Sequence, residues 1–125
     1  MVKVFKGLLV LLVVGLLLAG VGVAMSWAPD RPVESLTARW APAPSTFIDV
    51  EGLKVHLRDE GPRDDAEPIV LLHGTSASLH TWDGWAEQLQ GERRVIRVDL
   101  PAFGLTGPNA ERDYSLPRYS QFVAA

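Results

Sequence analysis

Apolar positions are continuous at the start of this chain and alternate with polar ones further along. From Gly7 to Pro29 no charged residue occurs, and Leu, Val, Gly and Ala fill most positions. A helix rises about 1.5 Å per residue, so about 20 apolar residues cross the roughly 30 Å hydrocarbon core of a bilayer. The run therefore predicts one transmembrane helix over residues 7–28, after a short basic leader at 1–6 that carries Lys3 and Lys6. Lysines before the span and none soon after it predict a cytoplasmic N-terminus, with Trp27 at the far interface. The alternative is a cleaved signal peptide, because Gly22-Val23-Ala24 offers the small residues a signal peptidase reads. Signal-peptide apolar cores are shorter than this run, about 7–15 residues. Both readings place the remainder outside the cytoplasm, anchored in the first case and secreted in the second. Pro29, Pro32, Pro42 and Pro44 interrupt residues 29–45. They predict an extended stalk with at most one short helical turn over Glu34–Trp40.

Beyond the stalk the period changes. Thr46–Val50 and Leu53–Arg58 alternate apolar and polar residues around Glu51-Gly52, which predicts a β-hairpin. Asp59–Glu67 is polar and contains Gly61 and Pro62, hence a loop. Ile69-Val70-Leu71-Leu72 is a run of aliphatics, which predicts a parallel strand buried on both faces. Trp82, Trp85, Ala86 and Leu89 recur at helical spacing, with Thr81 as N-cap and Asp83 in the first turn. On this pattern both tryptophans pack against the core. Arg93–Leu100 supplies a further strand, and strand–helix–strand with short links makes a βαβ unit. Leu116, Tyr119, Phe122 and Val123 return to helical spacing after Ser115, the expected N-cap. The expected fold class is α/β, with a hairpin and a βαβ unit in an incomplete sheet at 46–125.

Charge and composition narrow the function. After Pro29, ten basic residues stand against fifteen acidic ones, a net charge of −5 with no basic stripe, which excludes nucleic acid as a partner. Absence of cysteine excludes disulfides and thiolate chemistry. The three histidines lack ligand-like spacing, so no metal is expected, and no cofactor. Among them His56 reads as solvent-facing on the hairpin and His80 as a cleft-rim residue. Asp99 is expected to hold loop amides. Gly-x-Gly-x-x-Gly and Gly-x-x-x-x-Gly-Lys are both absent, which argues against a nucleotide-binding domain.

The chemistry is concentrated in Ile69-Val70-Leu71-Leu72-His73-Gly74-Thr75-Ser76 and in Asp99-Leu100-Pro101-Ala102-Phe103-Gly104-Leu105-Thr106-Gly107. The first delivers a His-Gly pair to the C-terminal end of a strand, where open α/β sheets keep their crevices. The two motifs, in this order and separated by one helix and one strand, resemble the α/β-hydrolase family, over about Phe47 to Ala125. The resemblance implies the N-terminal part of that fold and acyl-transfer chemistry. It implies that the backbone amide of Thr75 is an oxyanion-hole donor, supported by His73 and Gly74. Ser76, Phe103 and Leu105 are candidates for the substrate crevice, with loop-pinning as the alternative for Phe103 and Leu105. In the family the second loop usually carries Gly where Ala102 stands.

No catalytic residue is expected within the chain, because Gly-x-Ser-x-Gly does not occur. The family's nucleophile, acid and histidine all follow the helix that begins near Ser115, so a longer natural protein is expected. Haloalkane dehalogenase-like members usually have Asn after His-Gly, and epoxide hydrolase-like members Phe-Pro. Thr75-Ser76 therefore favours a serine esterase or lipase-like hydrolase acting on a small ester. An Asp-nucleophile member and a non-catalytic membrane-tethered interaction module are the alternatives. The lipid bilayer is the other expected partner.

Overall fold

The computed structural model describes residues 2–125. Met1, which begins the predicted leader, lies outside the described residues, as do the side chains of Val2 and Lys3. The chain divides into one unit up to Arg31 and another from Pro32 to Ala125. The first is helix α1 (Val2–Ser26). Its segment Val4–Ser26 is, by length and composition, long and apolar enough to cross a membrane. Ser26 Oγ donates to the Gly22 carbonyl at 2.8 Å and closes the last turn.

The second unit starts with α2 (Val33–Trp40), followed by β1 (Ser45–Val50) and β2 (Leu53–Glu60). β3 (Ile69–Leu72), a 3-10 turn (Leu79–Trp82), α3 (Asp83–Leu89), β4 (Val95–Val98) and α4 (Leu116–Ala124) complete it. The predicted stalk is thus partly folded: residues 33–40 form two helical turns inside the second unit. The eight residues from Val33 to Trp40 contain no proline and can form a helix once a partner surface exists, and the Trp40 carbonyl is bonded to His80 Nε2 at 2.9 Å.

The strands form one sheet in the order β1-β2-β4-β3. β1 and β2 are the predicted hairpin, paired from Ser45↔Arg58 to Val50↔Leu53. Its two-residue turn, Glu51 (φ 52°) and Gly52 (φ 81°), has both central residues left-handed, the geometry that matches strand twist. β4 pairs antiparallel with β2 and parallel with β3, so β3 is an edge. Gly61 (φ 88°) anchors the β2–β3 loop, where a Cβ would strike the carbonyl oxygens of Arg93 and Gln90. Asp65 accepts from Arg93 Nε (2.8 Å), Arg94 N (2.9 Å) and Glu67 N (3.0 Å). These bonds hold its carboxyl down at about 2.

The two faces of the sheet differ. One carries His56, Arg97 and Asp99, all buried, beneath the 3-10 turn that lies on β3 and β4. The other is an apolar trough of about 600 Å³ that includes Ile48, Val55, Leu57, Val70, Leu72 and Ile96, with Phe122 of α4 at its margin. The prediction that β3 is buried on both faces is therefore corrected: Val70 is 48% and Leu72 39% exposed. An aliphatic run reports what a strand can bury, whereas burial needs a second layer, and only one face has it among the described residues. Trp85, predicted to pack inward, is 63% exposed, whereas Ala86 is buried. Trp82 closes the 3-10 turn over Leu79–Trp82, which winds at three residues per turn, so it does not continue the phase of α3, in which Ala86 rather than Trp85 takes the inner face. For the same reason Thr81 lies inside that turn and makes no cap. Ser115 does occupy the N-cap position of α4, without a side-chain capping bond.

Candidate functional site

The site is built where β3 and β4 end side by side. His73 leaves β3 buried, and its ring is fully used: Nδ1 meets the Gly74 carbonyl at 2.8 Å and Nε2 accepts from Leu100 N–H at 3.0 Å. Phe103 packs edge-on against the same ring, at 5.5 Å between centroids. One imidazole therefore ties the loop after β3 to the loop after β4. Thr75 follows, exposed, and its N–H donates to no group among the described residues. Ser76, also exposed, has φ 59°. The left-handed residue of this turn is thus Ser76 rather than Gly74, a conformation that costs a non-glycine residue roughly 1–2 kcal/mol.

Asp99, 1% exposed, organises the other side. Oδ1 accepts from Leu79 N (2.8 Å), and Oδ2 accepts from Leu105 N (2.8 Å) and from His56 Nδ1 (2.7 Å). The expected amide-holding role of Asp99 is therefore seen. His56 is not solvent-facing as predicted but fully buried, because β2 lies inside the sheet and that face is covered. Alternation separates two faces of a strand and does not say which one meets water. Asp99 Oδ2 bonded to Nδ1 makes His56 the Nδ1–H tautomer, leaving Nε2 buried without a partner. Burial alone would raise the Asp99 carboxyl, but the bonds from His56, Leu105 and Leu79 outweigh it and hold it below its usual range. Thr106 Oγ1 completes the knot, donating to Asp99 O (2.7 Å) and accepting from His56 N (3.1 Å). Gly104 (φ 53°) touches this carboxylate so closely that a Cβ would collide with it.

The crevice candidates separate. Leu105 is buried and lines a cavity of about 250 Å³ with Leu36, Trp40, Ser78, His80, Asp99 and Gly104. Phe103 is half-buried against His73 and pins the loop. Neither Thr75 nor Ser76 is among the residues lining that cavity. His80, read from the sequence as a cleft-rim residue, is among the residues lining this cavity. Sequence reasoning missed Arg97, which is 2% exposed, bonded to Glu60 (2.6 and 2.9 Å) and Asp83 (2.5 Å), and reaches the Leu79 carbonyl. A charge inside Val95-Ile96-Arg97-Val98 was the available signal, since a central strand position needs a partner for it. No group of three or more metal-ligating side chains occurs among the described residues.

Ala102 has φ 71°, a backbone region open to glycine and strained for alanine. Ala102→Gly is expected to stabilise the fold by about 0.5–1 kcal/mol, net of glycine's greater unfolded freedom. Urea denaturation checks this, and a loss of stability would show that the loop tolerates the alanine without strain.

No protein-family model matches the chain. It is 42% identical over 73 residues to a haloalkane dehalogenase of Psychrobacter cryohalolentis, covering 57% of this chain and 24% of that one. Over 56 residues it is 41% identical to a pimeloyl-[acyl-carrier protein] methyl ester esterase of Aeromonas salmonicida, covering 45% and 22%. Its structure resembles the Cif epoxide hydrolase from Acinetobacter nosocomialis with TM-score 0.62 and 26% identity, over 78% of this chain and 33% of that one. The folded unit matches part of the α/β-hydrolase fold, and these three similar proteins are hydrolases. The chain spans about a quarter of the length of the curated relatives it matches.

Proposed function

We propose that this chain forms the oxyanion-hole portion of a membrane-anchored serine hydrolase acting on small carboxylic esters, with its folded unit on the extracytoplasmic side. The carrying observation is the Thr75 N–H, exposed at the end of a parallel strand and donating to no described residue. In acyl transfer, negative charge grows on the carbonyl oxygen under attack, and a preoriented amide stabilises it by about 2.7–4 kcal/mol. Thr75 acts through its backbone, so its side chain is dispensable. Nucleophile, acid and base belong to further sequence, a reading supported by relatives roughly four times as long as the matched segment. Lys3 and Lys6 before α1 support a cytoplasmic N-terminus.

The test is the reading frame and the enzyme it encodes. Continuation beyond the Ala125 codon into a strand followed by Gly-x-Ser-x-Gly is expected, with activity on short acyl esters lost when that serine becomes alanine. A stop codon at that point would overturn the proposal and favour a non-catalytic tethered module. A second reading rests on the dehalogenase relative and the epoxide hydrolase fold match. Aspartate at the elbow, with turnover of haloalkanes or epoxides instead of esters, would select it.

A further inference from the structure

We infer that His73 is the positioning residue for the Thr75 amide, acting by locking the peptide plane between Gly74 and Thr75. The inference deepens the oxyanion-hole reading and rests on it. In a trans peptide the C=O and the following N–H point in opposite directions, so fixing one aims the other. Among the described residues the cis peptide is Ala43–Pro44, so the 74–75 peptide is trans. Its carbonyl is the acceptor facing His73 Nδ1 at 2.8 Å, which makes Nδ1 the protonated nitrogen. Nε2 receives the Leu100 N–H at 3.0 Å and must therefore carry a lone pair. One tautomer alone satisfies both bonds. The ring is buried and held edge-on by Phe103, so it has a fixed orientation from which to hold the carbonyl. The Thr75 N–H is consequently directed away from His73, on the side where no described group competes for it. The second bond sets the height of the Pro101–Gly107 loop relative to the same peptide, so a single side chain registers both halves of the motif pair.

The two nitrogens can be tested separately in the full chain in detergent micelles. Asn places an amide donor where Nδ1 lies, and Gln places a carbonyl acceptor where Nε2 lies. His73→Asn is expected to keep the Thr75 amide at its wild-type NMR shift while Leu100 N–H exchange quickens roughly two- to tenfold. His73→Gln is expected to do the reverse, displacing Thr75 and sparing Leu100. His73→Ala should disturb both. Nitrogen-15 shifts of the wild-type ring are expected to show protonation on Nδ1. Equal displacement of Thr75 in the Asn and Gln variants, or a ring protonated on Nε2, would overturn the inference. Should His73→Ala fail to fold, the Asn and Gln pair still decides it. These readouts need no turnover, so an inactive longer protein would refute the proposed function and leave the His73 assignment standing.

Discussion

Replacing Asp99 by alanine is expected to remove most of the stability of the α/β unit. The carboxylate is the acceptor for three buried donors: His56 Nδ1–H, Leu79 N–H and Leu105 N–H. Each donor left unpaired costs about 1–3 kcal/mol. Water entering the new space will recover part of this, so a loss of about 3–6 kcal/mol is expected. A small domain holds only about 5–15 kcal/mol in total. Asp99→Asn keeps the shape yet turns an NH₂ toward a donor, so it should cost nearly as much. Urea denaturation of the full chain in micelles, followed by amide signals of β2 and β4, measures both. A change below about 1 kcal/mol would show that the knot is not cooperative.

The same group gives the fold an acid limit. Its folded carboxyl titrates below the ordinary 3.8, so its contribution is complete above that value and is lost as pH falls through the lower folded one. Asp99→Asn should flatten that part of the stability profile in strong acid. An unchanged slope would assign acid sensitivity to other carboxylates, Asp59 and Asp65 first among them, since both are held low by arginines.

Arg97→Met is the second large effect, expected to cost about 3–5 kcal/mol by stranding Glu60, whose side chain is 11% exposed. Asp83 is 55% exposed and, once released, is solvated at little cost. Adding Glu60→Met should therefore recover most of the loss, because apolar replacement of a whole buried pair is often neutral or stabilising. Equal stability of the single and double variants would show that Glu60 is hydrated without Arg97. The pair also bears on the site. Arg97 reaches the carbonyl of Leu79, whose amide Asp99 holds, so the 3-10 turn after the Thr75 loop is clamped to the sheet from both ends of one residue.

Much of this molecule is legible in its local patterns. The hairpin, the parallel pair β3 and β4, the helix after Ser115 and the two loops at the strand ends follow from period, glycine and chain order, because each depends on neighbours within a few residues. The Glu51-Gly52 turn and the apolar length of α1 belong to the same category. His56, Arg97 and Trp85 do not. Whether a polar residue on an alternating strand meets water depends on what surrounds it, and around His56 stand Asp99 and His80, both more than twenty residues away in sequence.

The candidate site divides along the same line. Local sequence determined that a His-Gly pair would end a parallel strand and that a glycine-rich loop would end the next, as well as the helix-long apolar segment that precedes both. Tertiary structure alone decided that His73 bridges the two loops, that Asp99 gathers three donors, and that strain resides at Ser76 and Ala102 rather than at Gly74. The physical reason is range. Backbone propensity and hydrophobic period act over one or two turns, whereas a buried hydrogen bond is chosen by whichever distant donor loses its water when the layers close.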